Sequence, residues 1–174
     1  KHTEYHRSLK IKNSKNKYLE NASNYIFIVG MPRSGSTLLE NILSLNPEVT
    51  DMGEVNFLEE SIKEAKDFED VFDLYEKKVL NKFPSSIIYT DKSLFNYMYC
   101  AVISNFFPKA KIINCIRNPL DNILSIYRAN FLKQSFSFSL TDISSLYVHY
   151  FETMEEYKIK YCLLYTSPSP RDVW

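Results

Sequence analysis

An apolar run that ends on a glycine, a turn built of proline, glycine and hydroxyl residues, and apolar side chains that resume at helical spacing leave few folds open. All three occur in residues 25–43, YIFIVGMPRSGSTLLENIL. A short apolar segment bounded by glycine is the pattern of a strand buried on both faces, as in a parallel sheet. From Gly35 to about Leu45 the spacing predicts a helix, with Leu38, Leu39, Ile42 and Leu43 on one side and Pro47 just past its end. Between strand and helix, Gly30 and Gly35 have the G-x-x-x-x-G spacing of a phosphate loop, with Ser36-Thr37 where Lys-Ser/Thr is expected. Backbone N–H groups curled around such a turn, together with a helix N-terminus, hold an anion whatever the side chains are. Ser36 and Thr37 add hydroxyl donors, and Arg33 adds a planar fork suited to oxyanions. The lysine of a nucleoside triphosphatase is missing, and no aspartate stands out as a magnesium ligand, which weakens an ATP-hydrolysing reading.

The rest of the chain extends the pattern. Residues 55–82 mix acids with apolar side chains and read as one or two amphipathic helices. SIIYT (86–90) is a second strand, LFNYMYCAVISNFF (94–107) a well-buried helix stopped by Pro108, and KIINCI (111–116) a third strand. PLDNILSIYRANF (119–131) opens a helix with proline early in it. TDISSLYVHYFETMEEYKIKY (141–161) starts on a Thr/Asp cap signal and carries Leu146, Tyr150, Phe151 and Met154 at helical spacing. Alternating strands and helices predict an α/β fold, a P-loop-type parallel sheet flanked by helices. Ligands in such folds bind beyond the carboxyl ends of the strands. Gly30–Thr37, Asp91–Lys92 and Arg117 fall at three such ends. Residues 1–23 read as a polar linker or the end of an upstream region, and 24–162 as the domain. LLYTSPSPRDVW (163–174) has two Ser-Pro steps and the single Trp of the chain. Proline removes donors and fixes φ, so this tail is expected not to continue a strand, to be foreign to the domain, and to leave the sheet incomplete at its C-terminal side.

Composition narrows the partners. The 21 basic side chains balance the 21 acidic ones, which disfavours a nucleic-acid partner with its demand for a basic face. An apolar fraction of 45% and an aromatic fraction of 15% suit a packed core. The 3 cysteines are far apart and match no zinc or disulfide pattern; Cys100 and Cys115, in apolar runs, are expected to be buried and inert. His2, His6 and His149 offer no ligand cluster, and no metal is expected. No apolar stretch is long enough to span a bilayer, and KHTEYHRSLK lacks a signal-peptide core.

VGMPRSGSTLLENILSLNPEV (29–49) resembles the 5′-phosphosulfate-binding loop and first helix of the sulfotransferases that use 3′-phosphoadenylyl sulfate (PAPS). It is most similar to the branch of tyrosylprotein sulfotransferases and of bacterial sulfotransferases carrying tetratricopeptide repeats. MGEV (52–55), TDKSLFN (90–96) and FPKAKIINCIRNPLDNILSIY (107–127) match in the same order, so the resemblance covers roughly residues 24–131. It implies that Pro32, Arg33, Ser34, Gly35, Ser36 and Thr37 hold the 5′-phosphosulfate, and that Arg117 and Ser125 clamp the 3′-phosphate. It further implies that Glu54 is the base, that Lys92 approaches the scissile bridge, and that Lys92 and Arg33 together stabilise the transferring sulfuryl group and the departing phosphate. Asp91 is expected to orient loop backbone or pair with a lysine, and Arg128 to add positive potential. Read without the resemblance, Glu54 is one acid in a stretch that also holds Asp51, Glu59 and Glu60.

The implied reaction is direct in-line transfer of a sulfuryl group from PAPS to a hydroxyl of protein tyrosine, a saccharide or a small molecule, without metal. Upstream tetratricopeptide repeats would be a partner region, and a bacterial chain would be cytoplasmic. Tyr147 and Tyr150 are candidates for packing on adenine, and QSFSFSL (134–140) for lining an acceptor groove. Two other classes stay open: a P-loop kinase acting on a nucleoside or small molecule, and a catalytically inactive binding or docking fragment.

Overall fold

The computed structural model describes residues 24–107, 110–129, 131, 135–161 and 164–168. Residues 1–23, Pro108, Cys162 and the end of the tail from residue 169 lie outside the described residues. Among the described residues five strands form one parallel sheet: β1 (Asn24–Gly30), β2 (Val49–Asp51), β3 (Ile88–Asp91), β4 (Lys111–Ile116) and β5 (Leu164–Pro168), in the order β2-β3-β1-β4-β5. Among the described residues six α-helices connect and cover them: α1 (Ser36–Leu43), α2 (Phe57–Glu64), α3 (Asp70–Lys82), α4 (Cys100–Phe106), α5 (Pro119–Ala129) and α6 (Leu140–Tyr161). The α/β fold with a parallel sheet flanked by helices is as the alternation predicts. None of these helices is long and apolar enough to cross a membrane among the described residues.

β1 is central, and Phe27, Ile28 and Val29 are all fully buried, which is why this strand reads as a continuous apolar run instead of alternating. On one side of it an aromatic cluster fills the core. The Tyr25 ring stacks on Tyr89 at 5.8 Å and meets Tyr75 and Phe107 edge-on at 5.1 and 6.2 Å. Phe107 also takes the edges of Phe72 and Tyr75, at 5.3 and 5.2 Å. Contacts of this kind add about 0.5–1.5 kcal/mol per pair beyond the burial of area. Tyr75 joins this core to the polar layer above it: its ring belongs to the cluster, while its hydroxyl reaches the end of β3.

The chain leaves β1 toward β2 at one edge of the sheet, and leaves β4 toward β5 at the other. Connections therefore diverge between β1 and β4, the crevice where open α/β sheets bind ligands. At that point the two strands almost touch: Gly30 pairs with Cys115, and a Cβ on Gly30 would lie 2.7 Å from the Cys115 carbonyl oxygen.

Several expectations are corrected. The 86–90 segment is the third strand, not the second; the three-residue β2 is too short to show periodicity. The 94–107 segment is a 3-10 turn (Leu94–Tyr99) followed by α4, not one helix. α1 turns its predicted apolar stripe partly outward, with Leu38 and Ile42 about half exposed, and buries Ser36 and Glu40. Phe151 on α6 is exposed. The exclusion of 163–174 from the sheet is overturned for Leu164–Pro168, which pairs in register with Ile112–Ile116. β5 is an edge strand with Pro168 as its last residue, a position where a missing N–H costs no ladder bond.

Replacing Gly30 with Ala is expected to lower stability by about 2 kcal/mol or more, since the close approach is to backbone and φ is +150°. Urea denaturation would show the loss; an unchanged midpoint would mean that β1 and β4 do not meet as described.

Candidate functional site

The loop from Met31 to Gly35 closes on itself through the Ser34 N–H, which donates to the Met31 carbonyl at 3.3 Å. Two of its residues have left-handed backbone, Arg33 at φ 67° and Gly35 at φ 96°. Gly35 adopts that conformation freely; a side chain there costs about 1–3 kcal/mol, so Arg33 is strained where it sits. The loop carbonyls are tied back. Asn122 Nδ2 donates to the Pro32 oxygen at 2.9 Å, and Arg117 Nη1 to the Arg33 oxygen at 3.1 Å. Both donors come from the end of β4 and the start of α5, within reach only because β1 and β4 are so close at Gly30. The carbonyls of Pro32 and Arg33 are thus engaged, and the first N–H groups of α1 lack intrahelical acceptors by geometry. Among the described residues no side chain caps α1, and its first turn carries no acid. A helix N-terminus with free N–H groups favours an anion.

Arg33, Arg117 and Ser125, far apart in sequence, meet here. Arg33 Nε donates to Ser125 Oγ at 3.3 Å, so the serine is joined to the loop arginine while Arg117 grips the loop backbone. Arg117 Nε, Ser34 Oγ and Asn122 Oδ1 are buried polar atoms with no partner among the described residues. Thr37 is exposed and Ser36 buried at the start of α1. Arg128, in the last turn of α5, is exposed.

The second half of the site sits where β3 ends. Lys92 Nζ donates to Glu54 Oε1 at 2.7 Å; the lysine side chain is 7% exposed and the glutamate 70%. Thus the two groups expected to serve as cation and base are paired, and Glu54 stands in solvent instead of a partly dry pocket. The turn carrying Glu54 runs on alongside β3: Met52 N–H donates to the Thr90 carbonyl at 3.0 Å, and Lys92 N–H to the Gly53 carbonyl at 2.9 Å. Gly53 has φ 63°. Asp91 is fully buried and accepts from Tyr75 Oη (2.8 Å), Ser93 N–H (3.0 Å) and Asn96 Nδ2 (3.1 Å). Of its two expected roles it takes the first, orienting the backbone beside Lys92. Burial pushes its carboxyl up to about 7, against the pull of those three donors.

Sequence reasoning misses Glu40. It is 4% exposed on α1, and its Oε1 accepts from Thr90 Oγ1 at 3.0 Å and Gly53 N–H at 3.2 Å. Burial holds its carboxyl above the usual range, while Thr90 and Lys92 oppose the shift. The available signal is Ser36 and Glu40 at i, i+4 spacing, a polar pair on one face of a helix otherwise read by its leucines.

The two candidate adenine residues are core residues. Tyr150 Oη donates to Asn114 Oδ1 at 2.5 Å and Tyr147 Oη to the Arg117 carbonyl at 3.3 Å, and both side chains are buried. They support β4 from behind. In the 134–140 segment Phe136 packs edge-on against Phe95 at 6.3 Å, and Phe138 is exposed. Cys100 and Cys115 are buried free thiols, and burial pushes that of Cys115 up to about 11. His149 borders a shallow depression lined by α6 alone, with no loop residue in it.

Comparison with known proteins adds to this geometry. The sulfotransferase domain family model matches residues 23–167. An uncharacterized protein of Aquifex aeolicus (strain VF5) is 30% identical over 129 residues, which are 61% of this chain and 17% of that protein. This chain therefore spans less than a fifth of that relative's length. Among solved structures, a sulfotransferase from Alicyclobacillus acidocaldarius superposes with a TM-score of 0.57 at 18% identity, covering 87% of this chain and 75% of that one. The YorR protein of Bacillus subtilis, in complex with phosphorylated GDP, gives 0.51 at 15% identity over 83% and 85% of the two chains. Shikimate kinase of Bacteroides thetaiotaomicron gives 0.52 at 12%, over 86% and 90%. At such identities the structural matches speak for the fold alone.

Asp91 generates a pH prediction. In the folded chain it keeps its proton up to about pH 7, while an unfolded aspartate releases it near 3.8. The folded state binds more protons between those values, so this group's contribution to stability falls as pH rises through the window. Asp91→Asn is expected to remove that slope. Denaturation of both proteins at several pH values between 4 and 8 would show their stabilities diverging as pH rises; parallel curves would mean that Asp91 is ionised throughout.

Proposed function

The chain belongs to the sulfotransferase domain family, and from that premise we propose that it transfers a sulfuryl group from PAPS to an acceptor hydroxyl. The observation that carries this reading is the loop itself. Its carbonyls are tied back by Arg117 and Asn122, no acid stands in the first turn of α1, and Ser36 occupies the place of a triphosphatase lysine. The result is a seat for an anion without the lysine that phosphate transfer from ATP calls for. Buried Arg117 Nε and Ser34 Oγ, both without partners among the described residues, are donors in reserve on the same cluster, which supports a ligand with more than one anionic group.

When bound, PAPS supplies the sulfuryl group and a phosphate leaving group. The N–H groups of Gly35, Ser36 and Thr37, with Pro32 shaping the turn and Arg33 beside it, hold the 5′-phosphosulfate. Arg117 and Ser125 select the 3′-phosphate, and Arg33, already joined to Ser125, ties the two halves of that grip together. Lys92 brings a desolvated ammonium, worth more there than in water, to the charge that develops on the departing phosphate. Glu54 accepts the acceptor's proton once Lys92 turns from it. No nucleophilic side chain and no metal enters the scheme.

The exposure of Glu54 supports an acceptor presented from solvent, and peptide tyrosine, the acceptor of the tyrosylprotein sulfotransferases that the sequence resembles, suits that better than an alcohol enclosed in a pocket. The tetratricopeptide-associated branch is part of this proposal.

Calorimetric titration with 3′-phosphoadenosine 5′-phosphate, against ATP with magnesium, tests the reading. Saturable binding of the former is expected, weakened about tenfold or more by Arg117→Ala through loss of a charge-assisted donor. Glu54→Gln should leave that binding in place and lower transfer by about a hundredfold. Preference for ATP would favour a kinase instead, and binding without transfer to any hydroxyl would favour a docking role.

A further inference from the structure

We propose that Glu40 is the positioning residue for the Glu54–Lys92 pair, acting as a buried hydrogen-bond acceptor that sets the turn on which Glu54 stands. The inference rests on the sulfotransferase reading and assigns a task to a residue that neither grips the donor nor meets the acceptor.

Three elements converge on one oxygen. Glu40 extends from α1, directly after the anion loop, and its Oε1 accepts from Thr90 at the end of β3 and from the N–H of Gly53. Gly53 is held at its other end as well, since its carbonyl accepts the N–H of Lys92. Its left-handed φ of 63° turns the chain so that Glu54 comes next, facing Lys92 Nζ at 2.7 Å. Both reacting side chains thus depend on the placement of Gly53: Glu54 by following it, Lys92 by donating to it. Side-chain packing does not restrain this glycine, since a Cβ placed on it would meet nothing within 4 Å among the described residues. The fixing is done by hydrogen bonds, and Glu40 supplies the one to its N–H. The same side chain links the base to the helix that starts at the anion loop, so donor seat and base share one reference point.

An acceptor, not a charge, is what this role requires. Burial already disfavours the ionised form of Glu40, and a neutral side chain with a carbonyl oxygen keeps both bonds. Glutamine therefore preserves the function, and methionine, of similar length and without a carbonyl oxygen, abolishes it while still filling the space.

The test uses the whole chain with Glu40→Gln and Glu40→Met. Release of sulfate from PAPS with water as acceptor serves as the turnover probe, and calorimetry with 3′-phosphoadenosine 5′-phosphate as the binding probe. Turnover is expected to fall about thirtyfold in the methionine variant and to recover to within about threefold in the glutamine variant, as befits displacement of a reacting group by a fraction of an ångström. Binding should stay within about threefold in both. The chain has 3 glycines, so glycine-selective 15N labelling yields a spectrum of three amides, with Gly53 assigned by Gly53→Asn. The Gly53 resonance should move in Glu40→Met and much less in Glu40→Gln. Equal turnover in the methionine variant and the unaltered chain, or a glutamine variant as poor as methionine, would overturn the role of Glu40 alone. Failure of the unaltered chain to bind the nucleotide would instead overturn the sulfotransferase reading beneath it.

Discussion

The near-contact of β1 and β4 at Gly30 decides where the rest of the site can be. A residue without a side chain lets the two backbones meet at a distance no Cβ would allow. The loop after Gly30 therefore starts flush against the end of β4, and the donors just beyond that strand, Arg117 and Asn122, fall on the loop carbonyls. Once those oxygens are taken, two of the turn's acceptors are held by side chains from the end of β4 and from α5. The anion seat is thus a product of sheet packing as much as of loop composition.

A second constraint comes from beneath. The aromatic core ends in a polar layer, where Tyr75 passes from ring packing to a hydrogen bond with Asp91, and where Glu40 meets Thr90. Carboxyl groups in such surroundings are costly unless every bond is made, and both are supplied with donors. Burial raises both above the ordinary carboxylate range. They brace the segments on either side of Lys92, leaving the exposed Glu54 as the carboxylate in direct contact with its ammonium.

Much of this was legible in the sequence, for reasons that can be named. YIFIVG and KIINCI are strands because buried parallel strands are apolar on both faces; Gly30, Arg33, Lys92 and Arg117 fall at or just beyond strand ends, and Ser125 lies further along the helix that follows β4. What escaped is what periodicity cannot see. Glu40 takes a core position because hydrogen bonds from Thr90 and Gly53 make it welcome there, and both partners are distant in the chain. That in turn rotates α1 and leaves Leu38 and Ile42 half exposed, against the stripe its leucines suggest. β2 has three residues and derives its form from β3. β5 ends on a proline, which an edge strand admits and an interior one would not. Tyr147 and Tyr150 read as free rings in an aromatic stretch, but their hydroxyls anchor them to β4 and its end.

Arg33 holds a backbone conformation in which glycine would sit without strain. Durability and capability are therefore opposed at this one position. A population of variants sorted only for resistance to heat would drift toward glycine there, and its hardiest members would be those that had given up the guanidinium reaching to Ser125.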